Sequence, residues 1–212
     1  MCIPYFMDKT LQEKNKKFLR VVFYILPFPV ILLSLFAGAS EQVSASDVVK
    51  ILLAGSDGLS PLAKSIVLDI RLPRILLVFI TGGILAVSGS ALQSVFRNPL
   101  VDPYVLGLSS GAAFGAALAL ALIAVPVQLS AFLFGTVAVA LCYFMARKNR
   151  QVSIISLILA GIITNGLFTA LLTIVQIISD PFRLQGIVHW IMGSFQDAGW
   201  DKFSLAVIPA AI

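Results

Sequence analysis

The sequence predicts an all-α polytopic membrane protein, a transmembrane helix bundle with about six helices present. Three observations carry that expectation. Of the 212 residues, 59% are hydrophobic and only 12% are charged. The apolar residues gather into runs of about 20, the length one bilayer crossing requires at about 1.5 Å of rise per residue. The basic residues stand at the ends of those runs rather than along a polar face. A soluble domain holds roughly half apolar and a quarter charged residues, so water is the wrong solvent for most of this chain.

Residues 1–17 are polar and basic, with Lys9, Lys14, Lys16 and Lys17, and read as a cytoplasmic N-terminal segment, leaving residues 18–212 as the transmembrane domain. The first apolar run extends from Phe18 to about Ala39. No small-residue cleavage site stands out beyond Ala37-Gly38-Ala39, so the run reads as a retained helix rather than a signal peptide. Glu41 to Asp69 is polar and mixed, broken by Gly55, Gly58 and Pro61, and is expected as an external loop with room for one short helix. Further apolar runs follow at Ile75–Phe96, Tyr104–Val125, Val127–Ala146 and Val152–Ile178, and a sixth begins near Trp200. Pro126 parts the third run from the fourth so tightly that those helices should form a hairpin with a very short turn.

With the N-terminus inside, Lys9, Lys14, Lys16, Lys17, Arg20, Arg97, Arg147, Lys148 and Arg150 fall on the cytoplasmic side, and Lys50, Lys64, Arg71, Arg74, Arg183 and Lys202 fall outside. That excess obeys the positive-inside bias, and the Arg147-Lys148-Asn149-Arg150 turn is its firmest marker. The same placement removes the nucleic-acid reading of the net charge of +5. All ten acidic residues lie in expected loops or at helix ends. Carriers driven by protons or sodium commonly keep an ionisable group at depth, so a self-powered carrier is disfavoured. His189, beside Trp190 at a predicted boundary, has no partners with metal-ligand spacing, and neither do Cys2 and Cys142, so no metal site is expected. No Gly-x-x-x-x-Gly-Lys-Ser/Thr phosphate loop is present, so hydrolysis of ATP is not expected of this chain. Small residues recur every four positions at Gly107, Gly111, Gly115 and Ala119, and again at Gly82, Ala86 and Ser90. Such rows let helix backbones approach closely where lipid gives no hydrophobic driving force.

The segment from Arg71 to Ala119 is more specific. It holds Arg71-Leu72-Pro73-Arg74, Gly82-Gly83, Ser88-Gly89-Ser90-Ala91-Leu92-Gln93, Arg97-Asn98-Pro99-Leu100-Val101-Asp102-Pro103 and Leu106-Gly107-Leu108-Ser109-Ser110-Gly111-Ala112-Ala113. Leu159-Ala160-Gly161-Ile162 and Trp190-Ile191-Met192-Gly193-Ser194-Phe195 agree with it further on. From about Phe18 onward the chain resembles the FecCD-type permeases, the membrane subunits of type II ABC importers for ferric siderophores, haem and cobalamin. The resemblance implies a ten-helix permease of which this sequence holds the N-terminal two-thirds, with the cytoplasmic coupling helices expected beyond Ile212.

The resemblance also assigns roles. Arg71 and Arg74, which by themselves also read as interfacial anchors, become the outer docking residues for glutamates of a substrate-binding protein; a guanidinium fork binds carboxylate bidentately and stays charged. Asn98, Pro99 and Leu100, otherwise an ordinary proline-bounded turn, become part of a cytoplasmic gate, with Ser153 and Ile154 as its second element. The family often has a hydroxyl where Ile154 stands. The implied partners are a second permease copy, two ATP-binding cassette ATPase subunits that use the ATP, a periplasmic or lipid-anchored substrate-binding protein, and membrane lipid. The implied location is the bacterial cytoplasmic (inner) membrane, and no cofactor is expected on the chain itself. A non-transport membrane scaffold, or a permease fragment without function, is the competing reading. A membrane-embedded enzyme is third, for the sequence offers few groups to build a catalytic centre from.

Overall fold

Serine, aspartate and proline decide where the helices of this chain begin. The structure, a computed structural model, describes residues 17–22, 24–38, 43–54, 60–99, 101–123, 125–148 and 151–210. The elements in order are α1 (Pro27–Phe36), α2 (Ala45–Ala54), α3 (Pro61–Ser65), a π-helical turn (Ile66–Arg71), α4 (Leu72–Phe96), a 3-10 turn (Pro103–Leu106), α5 (Leu108–Ala121), α6 (Val127–Ala146), the two-residue strands β1 (Arg147–Lys148) and β2 (Gln151–Val152), α7 (Ile154–Ile178), α8 (Pro181–Met192) and α9 (Trp200–Ala210).

Side-chain caps open four of these elements. Ser60 Oγ accepts from the Ala63 amide at 3.2 Å, and Ser153 Oγ from the Ser156 amide at 3.0 Å. Asp102 accepts from the amides of Tyr104 and Val105 at 2.9 and 3.2 Å. Asp180 accepts from those of Phe182 and Arg183, both at 3.1 Å. Pro follows the cap in three of the four, where its missing N–H costs nothing. Before α2, Asp47 Oδ2 accepts from the Ser44 amide at 3.0 Å and from its hydroxyl, and these bonds hold the Asp47 carboxyl below its ordinary range.

Four helical stretches among the described residues are long and apolar enough to cross a membrane: Lys17–Phe36, which ends in α1, Pro61–Phe96, Val127–Ala146 and Ile154–Ile178. Their outward faces are apolar: Val87, Val95, Phe132, Ile155 and Ile177 are each at least 70% exposed. Water would tolerate such a surface poorly, and lipid solvates it.

The chain divides into two compact units, Met1–Gly82 with Phe195–Ile212, and Gly83–Ser194. In the first, Leu35, Val48 and Val67 form a small buried cluster with Val43, Ile51, Leu72 and Ile75 against it. In the second, α5, α6 and α7 pack on one another through small residues. A Cβ on Gly111 would lie 2.5 Å from that of Ala138 and 2.7 Å from the Phe134 carbonyl oxygen. A Cβ on Gly115 would lie 2.5 Å from the Ser130 carbonyl oxygen, and one on Gly161 would overlap that of Val105. Ser130 Oγ donates to the Gly115 carbonyl at 2.6 Å, closing the same contact with a hydrogen bond between helices. Around it lie Phe114, whose ring meets Phe134 edge-on at 5.1 Å, and a buried cluster of Ala117, Ala121, Val175 and Ile187.

Several elements differ from the expectation. The stretch expected as an external loop up to Asp69 becomes helical from Pro61 and runs without a break into α4. Pro73 would normally end such a helix, because it lacks an N–H and its ring crowds the carbonyl four residues back. Here the turn before it widens, and the Leu72 amide donates to the Val67 carbonyl five residues back. The third run, expected as a full crossing from Tyr104 to Val125, yields only the 14-residue α5, about 21 Å long. Asp102-Pro103 diverts its start into a 3-10 turn, and Gly107 ends that turn at φ +77° before α5 begins. The hairpin at Pro126 is present, with α5 ending at Ala121 and α6 starting at Val127. α8 was not anticipated, although Asp180-Pro181 is an N-cap and N1 pair of the ordinary kind.

The packing of α5 on α6 makes a direct prediction. Gly115→Val should destabilise the protein by about 2–4 kcal/mol in detergent thermal unfolding, because the approach leaves no room for a side chain. Gly82→Ala, where nothing lies within 4 Å of an added Cβ, should stay within about 0.5 kcal/mol or stabilise.

Candidate functional site

The two ends of α4 carry the residues that the sequence marks for function. At its start, in the first unit, Arg71 is only 8% exposed. Its Nη1 donates to the Leu35 carbonyl at 3.0 Å, in the last turn of α1. A cation there also meets the negative end of that helix's dipole. Gly38 makes the position possible, since a Cβ on it would overlap the guanidinium. Arg74 Nη2 donates to the Gln196 carbonyl at 2.6 Å. Two donors stay buried without a partner, Arg71 Nη2 and Arg74 Nε. A buried donor left without a partner costs about 1–3 kcal/mol, and more when charged. Both arginines line a hollow of about 390 Å³ whose other walls are Ser34, Ala37, Gly38, Ile66, Ile70 and Ile75. Nearby, Trp200 Nε1 donates to the Leu68 carbonyl at 3.0 Å and ties the start of α9 to the π-turn.

This geometry parts the two arginines that the sequence treats alike. Arg71 is turned inward against α1, whereas Arg74 is half-buried. The π-turn accounts for the difference, because widening the helix just before Leu72 changes which face Arg71 occupies.

At the other end of α4, in the second unit, the helix stops at Phe96, and Arg97 follows at φ +49°. Phe96 and Val101 are buried on either side of the turn. Gln93 Nε2 donates to the Pro99 carbonyl at 2.9 Å, and the Asn98 amide donates to the Gln93 carbonyl at 3.2 Å. Gln93 therefore grips both residues of the Asn98-Pro99 pair. Leu100 lies outside the described residues. Val95 and Phe96 share a hollow of about 280 Å³ with Val152, Ser153, Ile154 and Leu157. The structure thus brings the end of α4 to the start of α7, the two segments that the sequence pairs. Ser153 caps α7, and its Oγ lies 2.8 Å from that of Ser156. β1 and β2 form a hairpin directly before it, with Arg147 opposite Val152 and Lys148 opposite Gln151; Asn149 and Arg150 are outside the described residues.

Of the two small-residue rows, Gly111 and Gly115 lie against α6 while Gly82 faces open space, and Ala86 and Ser90 are exposed. Gly107 lies against Thr164 of α7. Three residues have contacts that the sequence does not assign. Gln93 and Gly38 carried no local signal for their contacts. Arg183, whose Nη1 donates to the Ala121 carbonyl, follows the Asp180 cap that could have revealed α8. His189 is exposed in the last turn of α8, and no cluster of three or more potential metal ligands occurs among the described residues.

The FecCD transport family model matches residues 25–212, which include both ends of α4 and the α5 to α7 core. The chain belongs to the FecCD transport family. This FecCD chain is 40% identical over 173 residues to the molybdate import system permease protein of Haemophilus influenzae, covering 79% of the chain and 51% of that relative. It is 37% identical over 158 residues to the hemin transport system permease protein of Yersinia pestis, with 68% and 46% covered. Its fold is similar to a solved structure of an ABC transporter assigned to the metal-chelate type, in an inward-facing conformation. That match has a TM-score of 0.75 and 34% identity, and covers 91% of this chain and 59% of the other. The FecCD chain spans about half the length of the curated relatives it matches.

The cap at the second end of α4 is open to test. Ser153→Ala should cost about 1 kcal/mol locally, and exchange of the Ser156 amide hydrogen should become about fivefold faster.

Proposed function

We propose that this FecCD chain forms the membrane pathway of an ATP-binding cassette importer in the bacterial cytoplasmic membrane, with its N-terminus inside. The observation that carries the reading is the family match over residues 25–212, because it takes in both ends of α4 together with the packed core. In this account a binding protein delivers a metal-bearing solute to the Arg74 end, and the solute leaves at the Asn98 end. A second permease copy completes the pathway around a two-fold axis, and two ATPase subunits supply the energy. ATP shifts the equilibrium between outward- and inward-open states only as far as it binds one of them better.

Docking falls chiefly on Arg74, a half-buried residue; Arg71 holds α1 in place behind it through the Leu35 carbonyl. The gate comprises Asn98, Pro99 and Leu100 on one side, with Ser153 and Ile154 on the other. Gln93 supports the first side by gripping the Pro99 carbonyl. The apolar hollow between Phe96 and Leu157 suits a gate that closes by excluding water.

An iron chelate, haem or cobalamin is the first substrate reading. Molybdate is the second, favoured by the 40% identity to the molybdate permease protein. The test is uptake into proteoliposomes that carry the chain with its cognate ATPase and binding protein, using radiolabelled ferric chelate, haem, cobalamin and molybdate in parallel. The expected result is saturable, ATP-dependent uptake of one class. Arg74→Ala should weaken binding-protein affinity about tenfold, the loss of one charge-assisted contact. No uptake of any of the four would contradict the proposal.

A further inference from the structure

The Arg71–Arg74 hollow has donors that no described residue uses. Arg71 is more than nine-tenths buried, yet its Nη2 has no partner, and neither has Nε of Arg74 one turn away. Among the described residues neither guanidinium has a carboxylate partner, and the ion pair is that of Asp180 with Arg183. Asp69, the acidic residue of the π-turn, accepts instead from Ser65 Oγ at 3.0 Å, and no aspartate or glutamate among the described residues lines the hollow. The remaining wall is mostly Ala37, Ile66, Ile70 and Ile75. The site therefore offers two positive charges with free N–H groups inside an otherwise apolar chamber of about 390 Å³.

Charge unbalanced in such a chamber calls for an anion, and the free donors call for one with several acceptor oxygens. Position narrows the choice further. A crossing that begins where the helix ends at Phe96 takes about 20 residues to span the hydrocarbon core of about 30 Å and reaches about Leu77, so the arginines before it stand at headgroup depth. Phosphate is the oxygen-rich anion found there, and the isoleucines beside the arginines suit the apolar part of a phospholipid.

We propose that the hollow between α1, the π-turn and the first turn of α4 is a binding site for a phosphate group, held by Arg71 Nη2 and Arg74 Nε. The source of the phosphate is a phospholipid headgroup or a free phosphate ion. The site lies wholly in the first unit; it shares Arg74 with the proposed docking surface, and its test, run without binding protein or ATPase, does not depend on that reading.

The test uses the purified full chain in neutral detergent, stripped of lipid, without binding protein or ATPase. Binding is read by native mass spectrometry and by thermal shift against three probes added separately: phosphatidylglycerol, inorganic phosphate and sodium acetate. Wild type should bind one phosphate-bearing probe saturably and gain stability from it, with acetate without effect. Arg74→Gln should bind about tenfold more weakly while keeping the Arg71 contact to Leu35. Gly38→Ala, which displaces the Arg71 guanidinium without removing it, should weaken binding as well. Arg71→Lys, folded but lacking the fork, should not restore wild-type affinity. Protection by phosphatidylglycerol alone assigns the site to lipid, and equal protection by inorganic phosphate assigns it to the free ion. Equal protection by acetate would overturn the proposal in favour of a carboxylate partner. So would no binding by folded wild type, or unchanged binding in both Arg74→Gln and Gly38→Ala.

Discussion

A membrane gives its helices no hydrophobic reason to touch, and this fold rests on the close approach that glycine permits between α5, α6 and α7. At Gly111 and Gly115 the backbone or a methyl group of α6 stands where a side chain would be, and at Gly161 of α7 it is the Val105 carbonyl of the 3-10 turn that leads into α5. Dispersion contacts grow steeply as surfaces close, so these three positions set the distance at which the helices gain from packing. Ser130 adds a hydrogen bond to the Gly115 carbonyl at the centre of the contact. The short α5 is a consequence of the same arrangement. It is buried on nearly all sides by its neighbours rather than by lipid, so the length rule for a lipid-facing crossing does not govern it. The turn before α7 is fixed by this core, and that turn carries Ser153 and Ile154 to the end of α4.

A different force organises the other end of α4. There a buried guanidinium ties the start of α4 to the last turn of α1 through one carbonyl. Pro73 prescribes the wide turn, the wide turn directs Arg71 inward, and Gly38 leaves space for it. The result is a charged, incompletely satisfied corner in a protein whose membrane segments otherwise carry no central carboxylate. A buried charged donor left without a partner is expensive wherever it sits.

The fold class was legible because hydrophobic run length is a strong signal that depends on the solvent alone. The first, second, fourth and fifth runs correspond to helices long enough to span. What escaped were features set by single contacts. Nothing in Ile66–Arg71 announces a π-turn, so the helix from Pro61 to Phe96 was read as a loop followed by a shorter helix. The pairing of Arg71 with Arg74 hid a difference that only the turn decides. Conversely, Asp180-Pro181 stated the start of α8 in ordinary capping terms, and its apolar content was too low for a reading tuned to membrane spans. The two segments proposed as a gate are marked by resemblance, yet the grip of Gln93 on Pro99 needs coordinates.

The proposed two-ended pathway requires α4 to cross the bilayer, with its arginine end and its proline turn on opposite sides. The most direct measurement places single cysteines at Asp69 and Pro99, both exposed positions, in a background of Cys2→Ser and Cys142→Ala. Each is then labelled with a membrane-impermeant maleimide in right-side-out vesicles. The account predicts that the Asp69→Cys protein labels in intact vesicles and the Pro99→Cys protein only after permeabilisation. Labelling of both from the same side would contradict the crossing, and with it the two-ended pathway.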